Sequence, residues 1–190
     1  SRARLLGIIR GDVKRIDRLN TDISDASRLD AELSREAPQP VALSRLLATI
    51  IEVYRMTDAD HAVEFVLADQ LPPGTIVRGR DERLGQVFRN LIDNAVKYSD
   101  QGSIVKVEVR RDEGRMLISV ADNGPGIATE HLGRVFERFY RVDDARSRGT
   151  GGTGLGLAIV RHIALLHGGD VSVTSEVGVG STFTLSIPAV

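Results

Sequence analysis

A chain of 190 residues, 42% hydrophobic and 27% charged, has the composition of an ordinary globular protein. It is long enough for one domain of about 150 residues and an appendage. No apolar run approaches the ~20 residues of a membrane-spanning helix. The absence of cysteine excludes disulfides, thiolate metal sites and cysteine nucleophiles. A net charge of -1 leaves no basic excess for phosphate contacts, so no nucleic-acid partner is expected.

From Leu5 onward, Ile8, Ile9, Val13, Ile16, Leu19, Ile23, Ala26 and Leu29 recur every three or four positions with charges between them. This period predicts an amphipathic helix of about 34 residues, roughly 50 Å long at 1.5 Å per residue. The chain opens on Ser1 rather than Met with this pattern already running, as expected of a piece of something longer. So long an apolar stripe requires parallel neighbours, as in a helical bundle. Self-association through residues 4–33, or folding back on the domain, is therefore expected. Pro38 and Pro40 stop the helix and divide the chain into segments 1–37 and 38–190.

After the prolines, Ser44 reads as the N-cap of a helix that runs to about Arg55. Alternation of β-branched residues predicts strands at 63–68, near 75–78, and at 104–110, 116–121, 170–175 and 182–187. Helices are predicted over 81–99 and 154–166. Turns at Gly114 and over 176–180 read as hairpins. Helices mixed with hairpins, rather than alternating strand–helix units, predict an α+β fold. It is a two-layer α/β sandwich with a mixed, mostly antiparallel sheet, preceded by the long helix.

Three segments carry chemistry. On the helix over 81–99, Gln86, Asn90, Asn94 and Lys97 are spaced four, four and three apart and share one face. A solvated face is the plain reading. Two asparagines one turn apart, however, weaken a helix without improving solubility. A carboxamide oxygen suits Mg²⁺, and a lysine one turn on can meet phosphate. Asp122, Asn123, Gly124, Pro125, Gly126 and Ile127 directly follow a strand. They read as a turn, or as a site where glycines let backbone approach a flat ligand while an aspartate accepts from an exocyclic amine. The run from Gly149 to Leu157 opens a helix with glycines, which present bare N–H groups to phosphate. No lysine follows them as in a P-loop, and they do not end a βαβ strand as in a dinucleotide fold.

In this order and spacing the three segments resemble the N, G1 and G2 boxes of the GHKL ATPases, and most of all the catalytic domain of sensor histidine kinases. Phe136, Glu137, Arg138, Phe139, Tyr140 and Arg141 resemble that family's F box. The resemblance covers about residues 41–188. Arg18 and Leu19, with Asp25 to Asp30, resemble the end of the second helix of a dimerisation and phosphoacceptor hairpin. The chain looks most like membrane sensors that phosphorylate winged-helix response regulators.

The resemblance implies a Bergerat-type sandwich that binds ATP and Mg²⁺ beneath a lid. Asn94 would ligate Mg²⁺, with Asn90 beside it and Lys97 on phosphate. Tyr98 would lie along the nucleotide and Asp122 would hold the adenine amine. Gly124 and Gly126 would shape the base pocket. Gly152, Thr153, Gly154, Leu155 and Gly156 would form the phosphate cradle, with Arg138 or Arg141 reaching the transferring group. The partners implied are a histidine-bearing acceptor helix, a response regulator and, in the full-length protein, a second copy of the chain. The location implied is the cytoplasmic part of a membrane-anchored sensor.

Hydrolytic relatives, of the Hsp90, gyrase and MutL kind, carry a glutamate where this chain has Asn90. An amide is no general base, which favours transfer over hydrolysis. A hydrolytic ATPase and a nucleotide-dependent interaction module remain the rival readings. None of His61, His131, His162 and His167 sits in a context resembling His-Glu-x-Arg-Thr-Pro, so each reads as a surface or helix-end residue. Phe136 and Phe139 are expected to anchor one end of the lid, and the apolar-poor stretch from Arg141 to Gly152 to be its mobile part.

Overall fold

The computed structural model describes residues 37–57, 64–67, 75–99, 102–142 and 153–190. The helix expected over residues 4–33, His61, and residues 143–152 of the stretch expected to be a mobile lid, Gly152 among them, lie outside the described residues.

The chain enters on a short strand, β1 (Gln39–Ala42), which pairs antiparallel with β3 (Ile76–Gly79) in a two-stranded sheet. No strand was expected here, where Pro38 and Pro40 divide the chain. Pro40 is tolerated because β1 is an edge strand, whereas the far side of β3 bridges to Ala189. Helix α1 (Leu43–Thr57) follows without a break. It starts one residue before Ser44, so Ser44 is not its cap. The Leu43 N–H instead donates to the Thr75 carbonyl at 2.9 Å.

The main sheet has five strands in the order β2 (Glu64–Leu67), β4 (Ile104–Asp112), β5 (Arg115–Asp122), β7 (Gly180–Pro188) and β6 (Asp170–Glu176). β2 runs parallel to β4, and every other pair is antiparallel. β4–β5 and β6–β7 are the two hairpins foreseen. Side chains alternate between faces along each strand. Val107, Val120 and Phe183 therefore form one buried cross-strand row, and Val109, Ile118 and Leu185 another. The opposite face carries the polar row Glu108, Ser119, Thr184 and Ser172.

Helices α2 (Asp81–Tyr98) and α4 (Gly156–Leu166) lie against the apolar face and complete the two-layer sandwich. α2 buries Leu84, Val87, Phe88, Leu91, Ile92 and Ala95, the positions of a 3.6-residue repeat. Full burial of one such side chain contributes about 1.5–3 kcal/mol. Asp81 and Glu82 stabilise its positive end, and Lys97 its negative end. α4 contributes Ile159, Val160, Ile163 and Ala164 to the same core. It begins at Gly156, two residues later than expected, because Gly154 holds a left-handed φ of 74° that no helix can include. A single turn of helix, α3 (Thr129–Leu132), was not foreseen.

His167 locks the far ends of the two long helices together. Its Nδ1 donates to the Ile163 carbonyl at 2.8 Å, and its Nε2 accepts from the Arg80 N–H at 3.3 Å. The helix-end reading of this histidine holds, with its ring engaged on both sides. A Cβ at Gly79 would meet that ring at 2.7 Å.

Candidate functional site

Along α2 the exposure pattern separates the polar positions into two groups. Asp81, Glu82, Arg89, Asp93 and Tyr98 are exposed, whereas Gln86, Asn90, Asn94 and Lys97 are all half-buried. A solvated face would not be shielded along its whole length, so this stripe lines a cleft. One wall of that cleft is the start of α4. The Asn90 side-chain N–H donates to the Gly156 carbonyl at 3.2 Å, across 66 residues of chain. The Asn94 carboxamide has no hydrogen-bond partner among the described residues. Lys97 Nζ lies 4.9 Å over the ring of Tyr98 and 3.4 Å from its hydroxyl. That cation–π contact holds the ammonium beside an aromatic side chain that is 48% exposed.

At the C-terminal end of α2 the second segment closes in. A Cβ on Gly124 would stand 2.5 Å from the Tyr98 carbonyl oxygen. Gly126 has a φ of 70°, and a Cβ there would overlap the Glu176 carbonyl. The close approaches these glycines permit are thus to this chain's own backbone. They seat the turn between the end of α2 and the β6–β7 hairpin. Two further bonds fasten it. The Gly178 N–H donates to the Pro125 carbonyl at 2.9 Å, and the Ile127 N–H to Ser175 Oγ at 2.8 Å.

Asp122 ends β5 inside this framework, half-buried. Its Oδ1 accepts from the Gly124 N–H at 2.9 Å and from the Ser181 N–H at 3.3 Å. Burial pushes its carboxyl above the ordinary range, and the N–H groups of Gly124 and Ser181 offset part of that rise. With both donors on Oδ1, the other oxygen is left as an acceptor. Ser181 and Gly180, whose φ is 137°, were not singled out from the sequence. Their signal was a turn preceding a strand, which any hairpin gives.

The third segment is described from Thr153 onward. Thr153 Oγ1 accepts from the Leu155 N–H at 3.3 Å. The Leu155 side chain is 2% exposed and belongs to the core, so only its backbone faces toward any ligand. Gly154 lies so close to Phe139 that a Cβ would stand 2.8 Å from its backbone, and the Phe139 N–H donates to the Gly154 carbonyl at 2.9 Å. No side chain caps α4.

Phe136 does anchor its segment, meeting Phe183 edge to face at 6.3 Å. Phe139 does not bury its ring, which is 60% exposed. It holds a left-handed φ of 66° and is fixed through its backbone. Arg138 is exposed and Arg141 half-buried, on either side of that fixed point. His131 Nδ1 lies 2.6 Å from the Tyr140 hydroxyl, and Arg134 stacks 4.2 Å over the Tyr140 ring while pairing with Glu137 at 3.2 Å. α3 is thereby tied to the chain just beyond Phe139.

A family model described as histidine kinase-, DNA gyrase B-, and HSP90-like ATPase matches residues 79–190. The sensor protein ChvG of Agrobacterium fabrum is 42% identical over 201 residues, covering 100% of this chain and 34% of that protein. The chain thus spans about a third of the length of that curated relative. The solved structure of the mycobacterial sensor histidine kinase MprB is 31% identical with a TM-score of 0.67, covering 80% of this chain and 97% of that one. Full-length ShkA in complex with AMPPNP is 32% identical with a TM-score of 0.73, covering 91% of this chain and 36% of that one. Among the described residues no helix is long and apolar enough to cross a membrane. A family model matching more than half of the chain, and a histidine kinase structure overlaid almost from end to end, place this chain in the histidine kinase-, DNA gyrase B-, and HSP90-like ATPase family, among the ATP-binding catalytic domains of sensor histidine kinases.

Proposed function

We propose that this chain binds Mg²⁺-ATP and transfers its γ-phosphate to a histidine on an acceptor helix, for relay to a response regulator. The observation that carries the reading is the half-buried face of Asn90, Asn94 and Lys97, walled by the glycine-opened start of α4 and ended by Asp122. Asp122, with one oxygen free to accept, suits the adenine amine. The uncapped N–H groups of α4 suit phosphate. The complex of ShkA with AMPPNP, an ATP analogue, supports the same ligand class.

The residues fit a magnesium ion. Mg²⁺ bound with ATP takes most of its ligands from phosphates and waters, so one or two protein oxygens suffice. The half-buried Asn94 carboxamide supplies such an oxygen, and Lys97 a positive charge one turn on. When bound, the ion neutralises phosphate charge. The chain's own part is to orient the nucleotide and shield it, which is most of what phosphoryl transfer asks of a protein. Arg138 and Arg141 are the side chains we assign to the transferring group. Asn90 supplies no base for water, which favours an imidazole acceptor over hydrolysis.

The acceptor would be a histidine of a two-helix hairpin whose second helix is segment 1–37, in a homodimer of the full-length, membrane-anchored protein. The test is incubation with radiolabelled ATP, alone and with an added hairpin bearing a family-type histidine. We expect acid-labile label on the hairpin only, dependent on Mg²⁺, and no more than trace hydrolysis by the chain alone. Acid-stable label on the chain, or rapid hydrolysis without acceptor, would overturn the proposal.

A further inference from the structure

The resemblance places Asn90 beside the metal, but the structure gives its carboxamide a different task. A primary amide has one donor end and one acceptor end. Facing the Gly156 carbonyl at 3.2 Å, only the donor end avoids repulsion, so the orientation of the group is fixed by its partner. Gly156 is the first residue of α4, and its carbonyl is thereby tied to the middle of α2. The turn is also held at Gly154, whose carbonyl accepts from the Phe139 N–H at 2.9 Å, and at Leu155. Leu155 plugs into the core, and its N–H is held by Thr153 Oγ1. No side chain caps the helix, so its first N–H groups are uncommitted among the described residues. Among the described residues nothing bonds to the N–H groups that a phosphate would meet, while the Gly156 carbonyl is tied to α2 through the Asn90 side chain.

The geometry points to Asn90 as a positioning residue that acts through its side-chain N–H, seating the first turn of α4 on α2 so that the turn's backbone N–H groups converge on phosphate. This deepens the proposed function and rests on it for the ligand, though not for the seating itself. A methyl-sized group at Gly156 would stand 3.8 Å from Asn90 Cγ, ordinary contact, so the two residues meet without strain. The seat is a bond that can be removed without disturbing the core, since Asn90 is absent from the buried set of α2.

Two substitutions separate this role from metal ligation. Asn90→Asp keeps an acceptor oxygen and loses the donor, setting oxygen against the Gly156 carbonyl. Asn90→His keeps a ring N–H near the position of the amide N–H and loses the oxygen, and imidazole is a poor ligand for Mg²⁺. Both variants are compared with the wild-type chain at pH 8, where the histidine is neutral. The readouts are ADP affinity in EDTA, Mg²⁺-ATP affinity, and ligand-free amide exchange at Ile159, whose N–H donates to the Leu155 carbonyl at 2.9 Å.

Asn90→Asp should weaken Mg²⁺-free ADP binding and speed Ile159 exchange, each roughly tenfold, the scale of an opposed hydrogen bond. Asn90→His should recover most of both. Mg²⁺-ATP binding preserved in Asn90→Asp and lost in Asn90→His would overturn the inference and make Asn90 a metal ligand. Unchanged behaviour of both variants would overturn it too. If the wild-type chain bound no nucleotide, the proposed function would fall, while the exchange comparison would still decide whether Asn90 seats α4.

Discussion

Both N–H groups that reach Asp122 converge on a single oxygen, and that detail separates stability from binding at this residue. An asparagine in its place can present its own oxygen to Gly124 and Ser181 and keep both bonds. What it removes is a half-buried charge whose desolvation raises the carboxyl pKa in the folded chain. A raised folded pKa contributes stability that is present below the unfolded value and lost as pH rises through the folded one. At neutral pH the wild-type aspartate is therefore ionised at a cost, which a neutral amide would not bear. Asp122→Asn should melt no lower than the wild type at pH 7, and the difference should shrink as pH falls through the carboxylate range. Nucleotide binding should fail nonetheless, because the amide places a donor against the adenine amine. A variant that melts much lower at pH 7, or binds ATP normally, would remove Asp122 from the role assigned to it. The residue itself was legible in the sequence, as an aspartate ending an alternating strand before Gly124 and Gly126. Its partner Ser181 was not, because the contact spans 59 residues and leaves no local pattern.

Among elements, the glycine turns show the same division between a local signal and a distant cause. Gly126 and Gly178 both hold left-handed φ values, 70° and 83°. A side chain at Gly178 would meet nothing within 4 Å, whereas at Gly126 it would overlap the Glu176 carbonyl. Gly178→Ala should then cost only the intrinsic penalty of the conformation, about 1 kcal/mol. Gly126→Ala should cost substantially more and loosen the β6–β7 turn against residues 124–127. Thermal melts of the two variants, with amide exchange at Gly178, check this. Equal destabilisation would mean that the turn does not depend on the close approach. From the sequence, both glycines could be read as turn residues. The need for a bare backbone at Gly126 became visible only with its neighbour from another hairpin. The long helix α2 was legible throughout because its apolar repeat and polar stripe are both local periodicities. β1 escaped notice because two prolines within three residues mask a strand whose partner, β3, lies beyond α1 and β2. Leu155 was grouped with ligand contacts because a single leucine within a glycine run has no periodic context to mark it as core.

On the scale of the whole molecule, the site draws on the middle and end of α2, the end of β5, the β6–β7 turn and the start of α4. These elements are distant in sequence but share one core, so a ligand that bridges them should stabilise the entire domain rather than one loop. A ligand that binds only the folded chain adds RT ln(1 + [L]/Kd), about 2.7 kcal/mol at a hundredfold excess over Kd. For a chain of this size, each kcal/mol moves the melting temperature by about 2–4 °C, so Mg²⁺-ATP should raise it by about 5–10 °C. Chelation with EDTA should remove most of that rise. Asn94→Ala should leave the ligand-free melting temperature nearly unchanged, because Asn94 is only half-buried and stands outside the apolar face of α2. It should nevertheless lose the Mg²⁺-dependent part of the shift and keep the smaller Mg²⁺-free part, which Asp122 and the α4 turn provide. The measurement is a thermal melt of both chains with ATP, with and without Mg²⁺. A full Mg²⁺-dependent shift in Asn94→Ala would mean that another oxygen holds the ion. Absence of any shift in the wild-type chain would mean that the half-buried polar face of α2 serves something other than a nucleotide.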